Sequence, residues 1–359
     1  MIDWTKSMQQ TFEFYVVDPA TWHDIEKLTK VKSCTITRDS SLDTLGSATL
    51  DADEDLNDKY VRVYLIATQN GETEKVPLGT HMYQSPTTVY DGKRHSLTHD
   101  GYTPLIELKE NPMPIGYQAL SGVNILDLAQ TILEDHALRA PVIHKTGSIS
   151  KTLSGNFLAD VQDSKLTFVS DLLYNANYTL ALDELGKVLF MPDKELAAMA
   201  PVWTYNDDNS SILYPSMSIT RDIFGIPNKV EVIYSESGSN PIVASHTNTD
   251  PKSIVSYQQR GRWITHRETD PDVAPGANQA QLNEYAYKRL RELSTIDYQI
   301  SYKHGYCPVR LGDCIRLNYR RADFYNENGK VIRQVIHCEE GCQVEETAIL
   351  TEHLWEGEQ

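Results

Sequence analysis

The chain has 359 residues, with 50 acidic against 33 basic side chains and a formal net charge of −17 at pH 7. This charge argues against a protein that binds nucleic acid, because phosphate binding needs clustered lysine and arginine. An acidic wall would instead let DNA slide past without sticking, although solubility alone also explains the charge. The length exceeds one ordinary core and predicts two or three domains.

The composition, 40% apolar and 23% charged, is typical of a soluble globular protein. Tyrosine is common, at 20 residues against 7 phenylalanines, which favours strands and contact surfaces. The N-terminus lacks a basic segment followed by an apolar one, and no stretch approaches the ~20 apolar residues of a membrane span. We therefore expect folding in a cytoplasm, no stable membrane association and five free cysteine thiols.

Residues 1–110 predict a strand-rich first domain. Turn dipeptides at Asn70-Gly71 and Asp91-Gly92 separate apolar runs, because Asn, Asp and Gly tolerate positive φ. Closely spaced strands with hairpin turns predict a small β-barrel. The candidate strands are Phe12–Val17, Cys34–Arg38, Ala48–Leu50, Tyr60–Thr68, Pro77–Gln84 and Ser96–Asp100.

The next region changes period and predicts an α+β domain over residues 111–205 plus 236–296. Asn124 is a candidate N-cap for a helix with one apolar face, and a second helix follows Ser164. A hairpin then joins Tyr178–Leu182 to Lys187–Met191. Farther on, the pattern of Gln279–Leu293 predicts another amphipathic helix.

Strands return in residues 206–235 and 297–359, which we predict to form a second β-barrel interrupted by an insertion. The clearest runs are Met217–Arg221 and Lys229–Tyr234. The segments Ser33–Asp39 and Ser216–Asp222 share five of seven residues, and a strand-like run follows each. This internal echo suggests two related barrels, so the predicted class is α+β with two tube-like barrels.

No phosphate loop, nucleophile elbow or zinc-protease helix occurs in the sequence. Acidic neighbours are more simply solvated loops than catalytic pairs, and we predict no enzymatic site and no cofactor. The isolated histidines favour ordinary surface or core positions. The acidic groups are Asp53–Asp55, Asp207-Asp208 and Glu339-Glu340, and the histidines are His136, His144, His246 and His266.

A metal site is the sharpest chemical alternative, because soft thiolates and imidazoles suit zinc or an iron–sulfur cluster. The spacings, x6 and x3, differ from a tight x2 knuckle, and strand or hairpin positions also explain them. The candidate ligands are Cys307, Cys314, Cys338 and Cys342, with His304, His337 or His353 nearby. There are two basic groups, Lys288/Arg289/Arg291 and Arg316/Arg320/Arg321. Their ordinary explanation is a solvated face, and the alternatives are contacts to an acidic neighbouring subunit or, less favoured, to DNA.

The segment Tyr302–Leu317 joins two strand-like runs and contains the sequences His-Gly-Tyr and Val-Arg-Leu-Gly-Asp. It resembles the late segment of bacteriophage tail hub proteins, the trimeric adaptors at the distal end of the tail tube. Further matches to that family, in the same order along the chain, are Val61–Ile66, Val76–Thr80, Asp100–Leu105, the middle helix and hairpin, and Gly261–Ile264.

The resemblance implies a homotrimer that receives the sixfold tail tube on one side and a central spike or tip protein on the other. Three copies of a chain with two similar barrels would present six near-equivalent barrels around a DNA channel. It also implies contacts with other baseplate proteins and a place in the virion tail, assembled in the host cytoplasm. Gly261-Arg262 and Arg310–Asp313 match family positions that we interpret as structural turns.

Two other classes of function stay open. A tail-tip protein that binds or cleaves carbohydrate would use tyrosines and Trp203 or Trp263 as stacking platforms for sugars. A metal-stabilised tip subunit would use the cysteines named above.

Overall fold

The computed structural model describes residues 2–92, 94–135, 138–143, 151–235, 240–269 and 271–357. These residues are mostly β with a few short helices, which confirms the predicted α+β class. They form two compact units: a larger one of residues 1–217 and 302–348, and a smaller one of residues 218–301 and 349–359. The division into three domains stays a prediction.

The strands are β1 (Gln9–Val17), β2 (Asp24–Leu28), β3 (Val31–Asp39), β4 (Gly46–Ala52), β5 (Lys59–Gln69), β6 (Glu72–Asp91), β7 (Arg94–Tyr102), β8 (Gln118–Ala119), β9 (Val142–Ile143), β10 (Phe157–Leu158), β11 (Tyr178–Leu182), β12 (Val188–Pro192), β13 (Trp203–Asn206), β14 (Leu213–Thr220), β15 (Lys229–Tyr234), β16 (Ile242–Thr247), β17 (Thr265–Glu268), β18 (Thr295–Gly305), β19 (Cys314–Asn318), β20 (Glu327–His337) and β21 (Gln343–His353). The helices are α1 (Ile106–Lys109), α2 (Ile125–Glu134), α3 (Lys165–Tyr174), α4 (Tyr257–Arg260) and α5 (Gln279–Leu293).

One sheet runs through the larger unit, in the order β21-β20-β3-β4-β7-β6-β5-β1-β2, with β19 also on β20 and β13 beside β19. All six strands predicted in residues 1–110 are present, and β2 is an additional one. The antiparallel pair β3–β20 joins the N-terminal strands to the C-terminal ones. In the described residues β2 pairs with β1 alone, so closure of this sheet into a barrel stays a prediction.

The middle of the larger unit has a core of its own around α2 and α3. Asn124 caps α2, as predicted, by accepting from the N–H groups of Leu126 and Asp127. Helix α3 follows Ser164, as predicted, and the Ser164 side chain caps it by accepting from the Thr167 N–H. The hairpin β11–β12 is also present. Its turn is held against the N-terminal strands, because Trp22 Nε1 donates to the Leu185 carbonyl at 2.7 Å.

The smaller unit contains the sheet β16-β15-β17, on which α5 packs. Helix α5 spans the predicted residues, and its N-terminus is a capping box formed by Asn278 and Gln281.

The internal echo does not mark equivalent elements. Its first copy lies in β3, where Ile36 is 0% exposed and β4 is the paired neighbour. Its second copy lies largely in β14, where the matching Ile219 is 39% exposed. The run that follows the second copy, β15, belongs to the separate sheet of the smaller unit. A match of seven residues does not fix the environment of a strand, because strand pairing is non-local.

Candidate functional site

Six polar side chains meet in the interior of the larger unit, which we call the buried ionic cluster. Strand β18 supplies two of them, because alternate residues of a strand point to one face. Each of the six is no more than 2% exposed. The cluster consists of Tyr205 from β13, Tyr302 and His304 from β18, Cys307, Gln334 from β20 and Glu346 from β21.

The carboxylate of Glu346 is the centre of the cluster. It accepts hydrogen bonds from the hydroxyl groups of Tyr302 at 2.6 Å and Tyr205 at 3.0 Å, and from the Gln334 amide at 2.6 Å. His304 Nε2 lies 3.6 Å from the carboxylate. The other ring nitrogen of His304, Nδ1, lies 2.7 Å from the Gly305 carbonyl, which can only accept. Both ring nitrogens thus face acceptors, as an imidazolium requires.

The charges of His304 and Glu346 are set by competition between burial and hydrogen bonding. Burial opposes a charged imidazole, but hydrogen bonds to Cys307 and Glu346, with the negative charge of Glu346, raise the pKa of His304 to about 10. Burial also opposes the Glu346 carboxylate, but His304, Tyr302 and Gln334 outweigh it and lower the pKa of Glu346. At neutral pH the cluster is therefore an ion pair with its hydrogen-bonding groups satisfied.

The position of the cluster defines what it can do. It links β13, β18, β20 and β21 through side chains that have no exposed surface for a substrate. Such a group fixes the register of the strands that carry it, because a slip by one residue would move an ionised side chain to the opposite face. We interpret the cluster as a structural clamp of the C-terminal strands.

A cleft of about 310 Å³ opens on the larger unit. Its charged groups are already paired: Arg310 Nε lies 2.8 Å from Glu184, and Asp313 accepts the Arg310 backbone N–H at 2.8 Å. Burial is the main cause that raises the pKa of Asp313. The lining residues are Val76, Pro77, Glu184, Val202, Tyr306, Pro308, Arg310 and Asp313.

An exposed group of apolar side chains, which we call the apolar strip, lies on the middle region of the larger unit. Two chain segments run antiparallel there, because Gln118 pairs with Leu158 and a bridge joins Pro112 to Ser164. Exposed apolar side chains on adjoining segments are candidates for a contact surface. The strip consists of Ile115 (87% exposed), Leu120 (58%), Leu158 (63%) and Val161 (75%).

Solved structures share this fold over nearly the whole chain. A tail protein from Neisseria meningitidis matches with a TM-score of 0.60 at 13% identity, covering 94% of this chain and 96% of that one. The 43 kDa tail protein of a Shewanella oneidensis prophage matches with a TM-score of 0.59 at 11% identity, covering 94% and 98%. The chain has the fold of phage tail proteins.

The same fold occurs in a secretion system. An E. coli component of the type VI secretion system, which is itself similar to tail proteins of bacteriophage T4, matches with a TM-score of 0.51 at 11% identity, covering 96% of this chain and 78% of that one. No protein-family model matches the chain, and no curated protein matches its sequence. No helix in the described part of the chain is long and apolar enough to span a bilayer.

The cysteines of the alternative metal-site interpretation are spread over this tail-protein fold. Cys307 belongs to the buried ionic cluster, whereas Cys338 and Cys342 lie with Cys34 in the core of the N-terminal strands. Cys314 lies in neither place, and all five thiols are free and buried. Within the ranges that the structure describes, no group of three or more His, Cys, Asp or Glu side chains is arranged to hold a metal ion.

Lys288, Arg289 and Arg321 of the two basic groups have acidic neighbours within their own unit. Arg289 pairs with Glu268 and Glu292 at 3.0 Å each, and Lys288 lies 3.4 Å from Glu284. In the larger unit, Arg321 lies 3.1 Å from Asp207 and Arg316 donates to Asn328. The three ion-paired residues compensate part of the positive charge, which favours the solvated-face interpretation.

The other acidic groups also have ordinary positions. Asp53 forms an ion pair with Lys32, and Asp208 accepts from Ser210 at 2.8 Å. Glu339 and Glu340 are exposed at the turn before β21.

The histidines outside the cluster are dispersed. His337 lies 3.5 Å from Glu345, His266 lies 3.6 Å from Glu268, and His353 contacts Thr295 at 2.9 Å. His246 packs against Trp355. His136 and His144 lie outside the described residues.

The predicted turns and aromatic platforms can be located. Gly261 has a positive φ of 64° where it ends α4, and Gly312 has a φ of 84° in the turn that a hydrogen bond closes between Arg310 and Asp313. Trp203 is half-buried in β13, whereas Trp263 is 47% exposed and stacks on Tyr257 with ring centroids 4.2 Å apart.

Proposed function

We propose that the chain is a structural subunit of a phage or phage-like tail, acting as the hub that connects the tail tube to a central spike or tip protein. The observation that carries this proposal is the match with two phage tail proteins from one end of each chain to the other. Because the match covers nearly all of each chain, it supports a shared architecture of the whole protein and not only of one domain.

The finer part of the proposal is a homotrimer that adapts a sixfold tube to a threefold spike and contacts other baseplate proteins. Closed rotational symmetry is the expected result of a heterologous interface whose rotation closes. The apolar strip supports a role in assembly, because a neighbouring subunit would cover its four exposed apolar side chains. Permanent assemblies bury about 2,000 Å² or more, and their interfaces are more hydrophobic than those of transient complexes.

We further propose that DNA passes through the lumen of this trimer without being held there, as the net charge of −17 supports. The role is structural and involves no catalytic step. The part would be assembled in the host cytoplasm and belong to the virion tail.

The oligomeric mass of the purified chain tests the trimer directly. Light scattering at micromolar concentration should give three times 40.6 kDa. A strictly monomeric mass would contradict the trimer. Labelling of purified particles with an antibody to the chain tests the position separately, since the label should appear at the distal end of the tube and nowhere else.

A second candidate function, binding of host cell-wall glycan, is favoured by one observation. The stacked pair Tyr257–Trp263 is exposed in the smaller unit, and stacking of a sugar on an exposed aromatic ring is a common mode of glycan recognition. Trp203 is a poorer platform because β13 half-buries it. Binding of wall fragments that disappears in Trp263→Ala but persists in Trp203→Phe would support this function.

A further inference from the structure

Two buried cysteines face each other across the strand pair that joins the N-terminal and C-terminal strands. In the β3–β20 ladder Ile36 lies opposite Ile336, and both side chains are buried. Residues two positions farther along a strand point to the same face, which places Cys34 opposite Cys338. The Cys338 N–H donates to the Cys34 carbonyl at 3.0 Å, so the register continues to this position.

This arrangement meets the geometric requirement of a disulfide. Directly opposite residues of antiparallel strands have Cα atoms about 4.5–5.5 Å apart. Disulfides are found at Cα separations of about 4.4–6.8 Å. The two thiols belong to one core cluster, and both are reduced.

We propose that Cys34 and Cys338 are a latent disulfide, closed when the folded protein meets a peroxide. The thiolate of one cysteine attacks hydrogen peroxide, forming a sulfenic acid and releasing one water after proton transfer. The thiolate of the other attacks the sulfenic sulfur, forms the S–S bond and releases the second water. The pair loses two electrons and two protons, and one peroxide is reduced to two waters.

The link would tie β3 to β20 covalently and enclose most of the chain in one loop. Cross-links that close long loops restrict the unfolded chain strongly, so the oxidised protein should melt at a higher temperature. The biological role of this bond rests on the proposed function. The bond would form after the tail leaves the reducing cytoplasm and would strengthen the particle outside the cell.

The chemistry of the site makes the reaction slow at neutral pH. The hydrogen bond with Cys34, together with burial, raises the pKa of the Cys338 thiol, and only a thiolate attacks peroxide. The rate should therefore rise with pH by up to about tenfold per unit while the protein stays folded.

The test is a thiol map of the folded, full-length chain. The protein is treated with hydrogen peroxide at two pH values, its remaining thiols are alkylated, and its peptides are mapped without reduction. Two of the five thiols should be lost, with a single linked peptide pair that contains Cys34 and Cys338. Dithiothreitol should restore both thiols.

Two variants make the test specific. Cys34→Ser should abolish the linked pair, whereas Cys314→Ser, which removes a buried thiol elsewhere, should leave it intact. If Cys34→Ser does not fold, the map of the unchanged chain still decides. A link from Cys338 to Cys342, or sulfinic acid at these cysteines without a link, would overturn the proposal. Neither outcome bears on the tail role, because the bond is expected in the isolated chain.

Discussion

The substitution Glu346→Gln should destabilise the larger unit strongly, although it changes the shape of the side chain very little. The substitution keeps the shape of the side chain but removes the charge that balances His304, and it replaces one acceptor oxygen of the cluster with an NH₂ donor. Breaking a buried ion pair by removing one partner costs about 3–5 kcal/mol. For a unit of this size, about 2 °C of melting temperature is lost per kcal/mol. The expected fall is therefore about 6–10 °C.

The adjacent residue provides a matched control. Glu345 lies on the same strand but pairs with Lys303 near the surface, at 2.7 Å. An exposed ion pair contributes less than about 1 kcal/mol, so Glu345→Gln should shift the melting temperature by about 2 °C or less. Differential scanning calorimetry of the two variants under the same conditions makes the comparison. Equal small shifts would refute the clamp role of the cluster.

Three further predictions concern pH, assembly and backbone geometry. The pKa of His304 is raised from 6.5 to about 10, so the contribution of its charge to the stability of the fold is complete below pH 6.5 and is lost as the pH rises toward 10. The melting temperature should therefore fall over this interval, and more steeply than in a Glu346→Gln variant. The double substitution Ile115→Lys/Val161→Lys should weaken self-association in light scattering while leaving monomer stability within about 0.5 kcal/mol, since both side chains are exposed. Gly46→Ala should lower the melting temperature strongly, because a Cβ there would lie 2.3 Å from a backbone carbonyl oxygen, whereas Gly71→Ala meets no atom within 4 Å and should cost about 1 kcal/mol.

Each of these has an outcome that would count against its reasoning. A pH slope that Glu346→Gln leaves unchanged would assign the titration to another group. Val89→Lys, a change at an exposed apolar residue of β6, is the control for the strip. If it weakens association as much as the double variant, the effect comes from general surface charge. Similar losses in the two glycine variants would mean that φ, and not the close approach, limits Gly46.

Local signals allowed most of the helices to be predicted from the sequence. Asn124 was identifiable as an N-cap because a cap acts within one turn of its helix. The apolar faces of α3, after Ser164, and of α5 repeat with the helical period. Strand β2 was missed because Asp24–Leu28 is mainly charged and offers no apolar run. Its place at the sheet edge explains this composition, since edge strands often carry charges.

The sequence carries much weaker signals of contacts between residues that are far apart along the chain. The pairing of β3 with β20 brings together residues about 300 positions apart, and no pattern in either strand specifies its partner. The buried ionic cluster draws on segments from Tyr205 to Glu346. The only signal in the sequence was the alternation of β18, which puts Tyr302 and His304 on one face, but alternation does not tell an ion pair from an ordinary core.

The cluster and the cysteine pair both involve strand β20 and the residue that directly follows it, on the same face of the strand. Gln334 of β20 donates to Glu346, and four residues later Cys338 faces Cys34 of β3. Strand β20 is thus the element through which the N-terminal and C-terminal strands of the larger unit are held together. A buried ion pair adds little net stability over a well-packed apolar core, but a wrong register would leave its charges unpaired at a cost of several kcal/mol. For a part proposed to connect a tail tube to a spike or tip protein, unique strand registration is the property that such a clamp supplies.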